Sequence, residues 1–142
     1  LQAEKLAKAM QAVLPADSYD PVDYTGSDAT VDQIYKAGDQ GYVVQVTVSG
    51  SQGNITMIVG VDAEGKTTGI SITSHSETSG LGAVAASTSE AGQAFRAQFV
   101  GKDSVAVTKD GGDIDAISGA TITSRAVCNG TNSALEAVKT VG

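Results

Sequence analysis

Ten residues, Asp115-Ala-Ile-Ser-Gly-Ala-Thr-Ile-Thr-Ser124, combine hydroxyl groups with small side chains in a spacing suited to holding a phosphate. They lie between a Gly/Asp-rich loop, Lys109 to Asp113, and a segment with helical periodicity from Thr121 to Thr140, which places Ser118 to Thr121 at a helix N-terminus. The first N–H groups of a helix have no intrahelical partner and sit at the positive end of its dipole, a natural seat for an anion. Gly119 and Ala120 leave room for close approach. By composition and spacing alone, an ordinary polar residue near a helix start accounts for Thr121, because Ser, Thr, Asp and Asn are common there as caps.

A second distinctive stretch lies upstream, His75-Ser-Glu-Thr-Ser-Gly-Leu-Gly82. Together the two carry a resemblance. Asp115-x-x-Ser118-Gly119-Ala120-Thr121 resembles the flavinylation motif of the FMN-binding domains in the RnfG and NqrC subunits of ion-translocating oxidoreductase complexes. In that family a dedicated transferase joins FMN, through its phosphate, to the side-chain oxygen of the final threonine, which corresponds to Thr121. His75-x-Glu77-Thr78-x-Gly80-Leu81-Gly82 is similar to the family's His-x-Glu-Thr-Pro-Gly-Leu-Gly segment, which lies by the flavin. Ser79 replaces the usual proline, which makes that loop less stiff. Two motifs in the expected order are far more specific than either alone, and the resemblance covers roughly residues 40–140.

Other readings of these residues are weaker. Gly80-Leu-Gly82-Ala-Val-Ala85 fits a loosened dinucleotide fingerprint, but such a site needs its glycines directly after a buried parallel strand, and the preceding strands read as hairpins. Ser118 is not in a G-x-S-x-G elbow. His75 is the sole histidine and, with Glu77, makes no persuasive metal site; it is either a loop residue without a task or a hydrogen-bonding group at the flavin edge. The carboxylates of Asp17 to Asp28 lack the spacing of a calcium loop. Arg125, one turn into the helix, is a candidate counter-charge to a phosphate or a solvated helix residue. Thr78 and Thr123 are candidate hydrogen-bond donors to the flavin or its phosphate.

The elements that must position these residues are read from periodicity. Residues 1–14 show an amphipathic stripe, Leu6, Ala9, Met10 and Val13, ended by Pro15. Strands are expected at Val31 to Lys36, at Tyr42 to Ser49 with Val44, Val46 and Val48 on one face, at Ile55 to Val61, and around Ile70 and Ile72. Their short connections, one with Gly65 free for φ > 0, imply an antiparallel meander buried on one face. Ser87-Thr-Ser-Glu90 reads as a capping box opening a helix to about Val100, with Phe95 and Phe99 on its buried side. Ser104 to Thr108 is expected as a further short strand. The last helix sets Val127, Ala134, Leu135 and Val138 on one face, weakened by Gly130. The fold class is α+β, with a mostly antiparallel sheet of about four meander strands plus a later strand, packed with N-terminal, middle and C-terminal helices.

Composition narrows the function classes. The 142 residues fit one domain with a real core, built without Trp and with 4% aromatics. The net charge of −7, with no run of Lys or Arg, argues against a nucleic-acid partner and against binding an anionic membrane by charge. A free FMN dianion would meet a repulsive field, screened beyond about 8 Å; a covalent tether removes the difficulty of retaining it. The single cysteine, Cys128, allows no internal disulfide. No apolar run approaches the ~18 residues of a membrane span, so the chain as given is expected to be soluble.

The resemblance implies residues 1–30 as juxtamembrane helix and linker and 31–142 as flavin-binding core. It further implies a missing upstream membrane anchor, a domain facing the extracytoplasmic side, and maturation by an FAD- and magnesium-dependent flavin transferase. At this length RnfG is the nearer relative. The function expected is an electron-transfer subunit of a membrane-bound Rnf-type complex, with covalent FMN on Thr121, no catalytic residues, no metal and no substrate turnover of its own. Two alternatives remain: an extracytoplasmic binding module for a phosphorylated small ligand, and the flavin domain of a secreted reductase.

Overall fold

In a computed structural model describing residues 2–24, 26–50, 53–75, 82–87, 89–117 and 119–141, the chain builds a five-stranded antiparallel meander. Helix α1 (Gln2–Val13) precedes β1 (Tyr19–Val22), β2 (Val31–Ala37), β3 (Gly41–Ser49), β4 (Asn54–Asp62) and β5 (Thr67–Ser74). A 3₁₀ turn (Gly82–Ala86), helix α2 (Glu90–Ala97), a second 3₁₀ turn (Thr108–Asp110) and helix α3 (Thr121–Val141) follow. The strands lie in chain order, each beside the next. Between β4 and β5 the Asp62 carboxylate accepts the Glu64 and Lys66 N–H groups at 2.9 and 3.0 Å, and Gly65 takes φ 81°, the left-handed conformation expected there.

Both faces of the sheet are covered, not one. The expected stripe of Val44 and Val46, with Met57, Val59 and Val61, packs with the apolar face of α3 and with Phe95 and Phe99, whose rings meet edge to face at 5.2 Å. On the opposite face Val43 and Ile58, both fully buried, pack under Ala9, Met10 and Val13 of α1 and Leu14 just after it. Val43 and Val44 are adjacent and point to opposite faces, so a strand buried on both sides reads as a continuous valine run. Gly60 makes the second layer possible: a Cβ there would stand 2.8 Å from the Val13 carbonyl oxygen. The Thr68 hydroxyl donates to that same oxygen at 2.5 Å.

Strand membership differs from the sequence reading at two places. Residues 19–22, within the turn-rich linker, form the edge strand β1; Pro21 is tolerated because an edge position leaves one side without a ladder partner. Ser104 to Thr108 forms no ladder strand and makes only a parallel bridge, Val107 to Ile114. The backbone of Val105 is instead occupied by Asn132 of α3, whose side-chain amide bonds its N–H at 2.8 Å and its carbonyl at 2.7 Å. The cap of α2 is Ser89, not Ser87: its hydroxyl accepts the Gly92 N–H at 3.2 Å. Gly130 has a packing reason, since a Cβ there would meet Met57 Sδ at 2.9 Å and Val46 and Val48 at 3.2 Å.

Candidate functional site

Helix α3 begins at Thr121. Just before it the Ala120 N–H donates to the Ile117 carbonyl at 2.9 Å, closing a turn with Gly119 at φ 76°. That φ suits glycine and strains a residue with a Cβ. The Ala120 carbonyl then accepts the Ser124 N–H at 3.0 Å, the first bond of the helix. Ala120 therefore occupies the cap position, where its methyl group cannot accept an N–H as a Ser or Asp would. The N–H groups of Thr121 and Ile122 precede that first bond, at the positive end of a 21-residue helix. Thr121 is half-buried, whereas Ile122 is 58% exposed.

Two side chains hold the turn in place. The Ser124 hydroxyl, fully buried, accepts the Ile117 N–H at 3.0 Å and donates to the Ala120 carbonyl at 2.8 Å. The Gln98 amide accepts the Asp115 N–H at 2.7 Å and donates to the Asp115 carbonyl at 3.1 Å.

The two described residues of the second motif, His75 and Gly82, flank the same region of the sheet. Ala126, about a turn and a half into α3, forms a small apolar cluster with Val48, Ile55 and Ile72. Ile72 belongs to the strand that ends at Ser74, and exposed His75 follows it. Gly82 opens a 3₁₀ turn packed against β5, α2 and α3. Arg96 of α2 secures that turn by donating to the Ala85 and Ser87 carbonyls, both at 2.8 Å. Glu77, Thr78, Gly80, Leu81 and Ser118 lie outside the described residues.

Two expected contact residues are otherwise engaged. Arg125 forms a two-pronged pair with Asp110, Nε to Oδ2 at 2.8 Å and Nη2 to Oδ1 at 2.9 Å. The hydrogen bonds from Arg125 hold the Asp110 carboxyl below its ordinary range. Thr123 is buried, with 1% of its surface exposed. Cys128 is buried too, and burial, with the charges of Asp110 and Asp113, pushes its thiol up to about 12. Among the described residues no three His, Cys, Asp or Glu side chains are placed to hold a metal.

Sequence reasoning passed over Gln98 and assigned Ser124 no role. Gln98 carries no local signal, because its partner is seventeen positions away. Ser124 was in principle legible: a serine in the first turns of a helix commonly bonds back to the carbonyl four residues earlier.

The arrangement places the Thr121 hydroxyl beside N–H groups that precede the first helical bond, at a helix start preceded by Gly119 and Ala120, a setting that suits an anion such as a phosphate. Comparison with known proteins agrees with such a ligand. The sequence profile of a family described as FMN-binding domain matches residues 50–136. The G subunit of the ion-translocating oxidoreductase complex of Methanosarcina acetivorans is 40% identical, over 97% of this chain and 77% of that protein. The G subunit of the proton-translocating ferredoxin:NAD(+) oxidoreductase complex of Clostridium ljungdahlii is 46% identical over 58% of this chain, and the Na(+)-translocating counterpart of Acetobacterium woodii 38% over 56%. The matches span only 45% and 39% of those two longer proteins.

Proposed function

Because this chain belongs to the FMN-binding domain family, by the match over residues 50–136 and the relative 40% identical across nearly its whole length, we propose that it is the electron-transferring flavin domain of an ion-translocating oxidoreductase complex, carrying FMN joined through its phosphate to Thr121. The observation that carries the attachment site is the placement of Thr121 as the first residue of α3, with the Thr121 and Ile122 N–H groups ahead of the first helical bond.

On this reading the backbone from Ser118 to Ile122 surrounds the phosphate, and Gly119 and Ala120 allow its approach. His75, Glu77, Thr78, Gly80, Leu81 and Gly82 are the residues assigned to the ring; of these His75 follows β5 and Gly82 opens the turn that Arg96 holds. Arg125 reaches the phosphate only by sharing its guanidinium with Asp110. FMN, when bound, supplies the redox chemistry, and the protein supplies position and exclusion of side reactions. A net charge of −7 disfavours noncovalent retention of a phosphate ester; the tether removes that requirement and lets one ring edge stay open to donor and acceptor.

Attachment is a group transfer by a separate flavin transferase. A bond forms from Thr121 Oγ to the FMN phosphorus, the pyrophosphate bond of FAD breaks, AMP leaves, and the hydroxyl proton passes to solvent. The remaining subunits of the complex are the partners, and the domain works at the outer side of the membrane, tethered by an N-terminal anchor. No helix among the described residues is long and apolar enough to cross a membrane.

The test is coexpression with a flavin transferase followed by intact mass after denaturation. The wild-type chain gains FMN minus water, Thr121→Ser retains the gain, and Thr121→Val loses it. An unmodified wild-type chain, or a Thr121→Val chain that keeps flavin through denaturation, overturns the assignment.

A further inference from the structure

We propose that Gln98 and Ser124 are positioning residues that hold Asp115, Ile117 and Ala120 in place before any flavin is attached, so that Thr121 is presented ready-made to the phosphoryl donor. This inference rests on the assignment of Thr121 as the attachment point.

Among the described residues from Lys109 to Ala120 there is no ladder partner beyond the Val107–Ile114 bridge, and their backbone polar groups must be satisfied elsewhere. Gln98 satisfies both groups of Asp115 from outside. Its position is set by the core, because the flanking Phe95 and Phe99 are buried. Ser124 works from inside, spanning the turn from the Ile117 N–H to the Ala120 carbonyl. The two braces bracket the residues that lead into Thr121.

Ser124 also accounts for acceptor choice. Three hydroxyls lie within the first turn of the helix, but Thr123 and Ser124 are both buried, and the proton of Ser124 is committed to the Ala120 carbonyl. Thr121 keeps the accessible one. Without the braces the loop would sample other conformations in water, and the transferase would bind only the fraction in which the turn is formed. Its apparent affinity falls by that fraction, while the chemical step on the bound chain is unchanged.

The experiment uses purified flavin transferase with FAD and magnesium acting on the wild-type chain and on Ser124→Ala, Gln98→Ala and Tyr19→Phe. Tyr19→Phe removes a hydrogen bond to Leu14 on the α1 side and serves as the control. In parallel, hydrogen exchange is followed at the Asp115 and Ile117 amides of the unmodified proteins. Gln98 is half-buried and its bonds to Asp115 lie at the surface, so its alanine variant keeps the fold. The expected result is a fall in kcat/KM of about tenfold for Ser124→Ala and about threefold for Gln98→Ala, residing in KM. Exchange should quicken at Ile117 and Asp115 respectively, with Tyr19→Phe unaffected in both assays. Wild-type kcat/KM in both variants, a loss residing in kcat alone, or unprotected amides in the wild-type chain overturns the proposal while leaving Thr121 as the acceptor. A wild-type chain that takes no flavin although both amides are protected overturns the Thr121 assignment and this proposal together.

Discussion

The side-chain amide of Gln98 pairs with the backbone of Asp115 as a neighbouring strand would, accepting its N–H at 2.7 Å and donating to its carbonyl at 3.1 Å. Asn132 does the same for Val105, at 2.8 and 2.7 Å. Lys102 adds an ion pair to Asp113 at 2.6 Å, and Asp110 one to Arg125. The chain leading to Thr121 is thus held by side chains of α3 and of the segment that follows α2, where the sheet offers it no edge.

The backbone groups held by the two amide braces differ in burial, Val105 being buried and Asp115 exposed, and removal of the braces should differ in cost. Asn132→Ala leaves Val105, whose side chain is in the core, with both backbone groups unpaired and should lower stability by about 2 kcal/mol. Gln98→Ala exposes the Asp115 groups to water and should cost about 1 kcal/mol or less. Urea unfolding of the two variants measures both, and equal losses would refute the distinction.

Gly130→Ala would ordinarily stabilise a helix by about 1 kcal/mol. Here the added methyl meets Met57 Sδ at 2.9 Å and two valine methyls at 3.2 Å, all in a filled core. Overpacking of that kind costs about 1–3 kcal/mol, so a net loss of about 1 kcal/mol is expected. A rise in the melting temperature of the variant would refute the close approach of α3 to β3 and β4.

Cys128 should resist iodoacetamide at pH 8 in the native protein and react once it is unfolded, because burial pushes its thiol up to about 12. The sign for stability follows. A thiol whose folded pKa lies above its unfolded value of about 8.5 contributes stability at lower pH, and that contribution is lost as pH rises from there toward about 12. Cys128→Ala should flatten the alkaline decline in melting temperature.

At the acid end three carboxylates among the described residues titrate below their ordinary range. Asp28 is held down first by the Thr30 N–H, Asp110 by Arg125 and Asp113 by Lys102. Each contributes stability above the unfolded value of about 3.9, and each contribution is lost as pH falls through the lower folded value. Melting temperature should therefore drop below about pH 4. Asp28→Asn should reduce that drop in low and high salt alike, whereas Asp110→Asn should reduce it mainly at low salt, since its ion pair lies at the surface and is screened.

Much of the fold was legible because it is written in short-range patterns. Alternating valines and isoleucines marked β2 to β5, Gly65 marked a turn, and the stripe from Leu6 to Val13 marked α1. The motif with Thr121 at a helix start, and its likeness to FMN-binding domains, were legible for the same reason: a helix N-terminus is a local property of the residues that begin it. Hydrophobic periodicity cannot say which layer covers which face. Tertiary structure therefore decided that α1 seals the second face of the sheet, through Gly60 and Thr68. It also decided that 104–108 lies along α3 and not in a ladder. The bracing of the motif by Gln98 and Ser124, and the pairing of Arg125 with Asp110, depend on hydrogen-bond donors meeting acceptors that the chain brings together only after the core has closed.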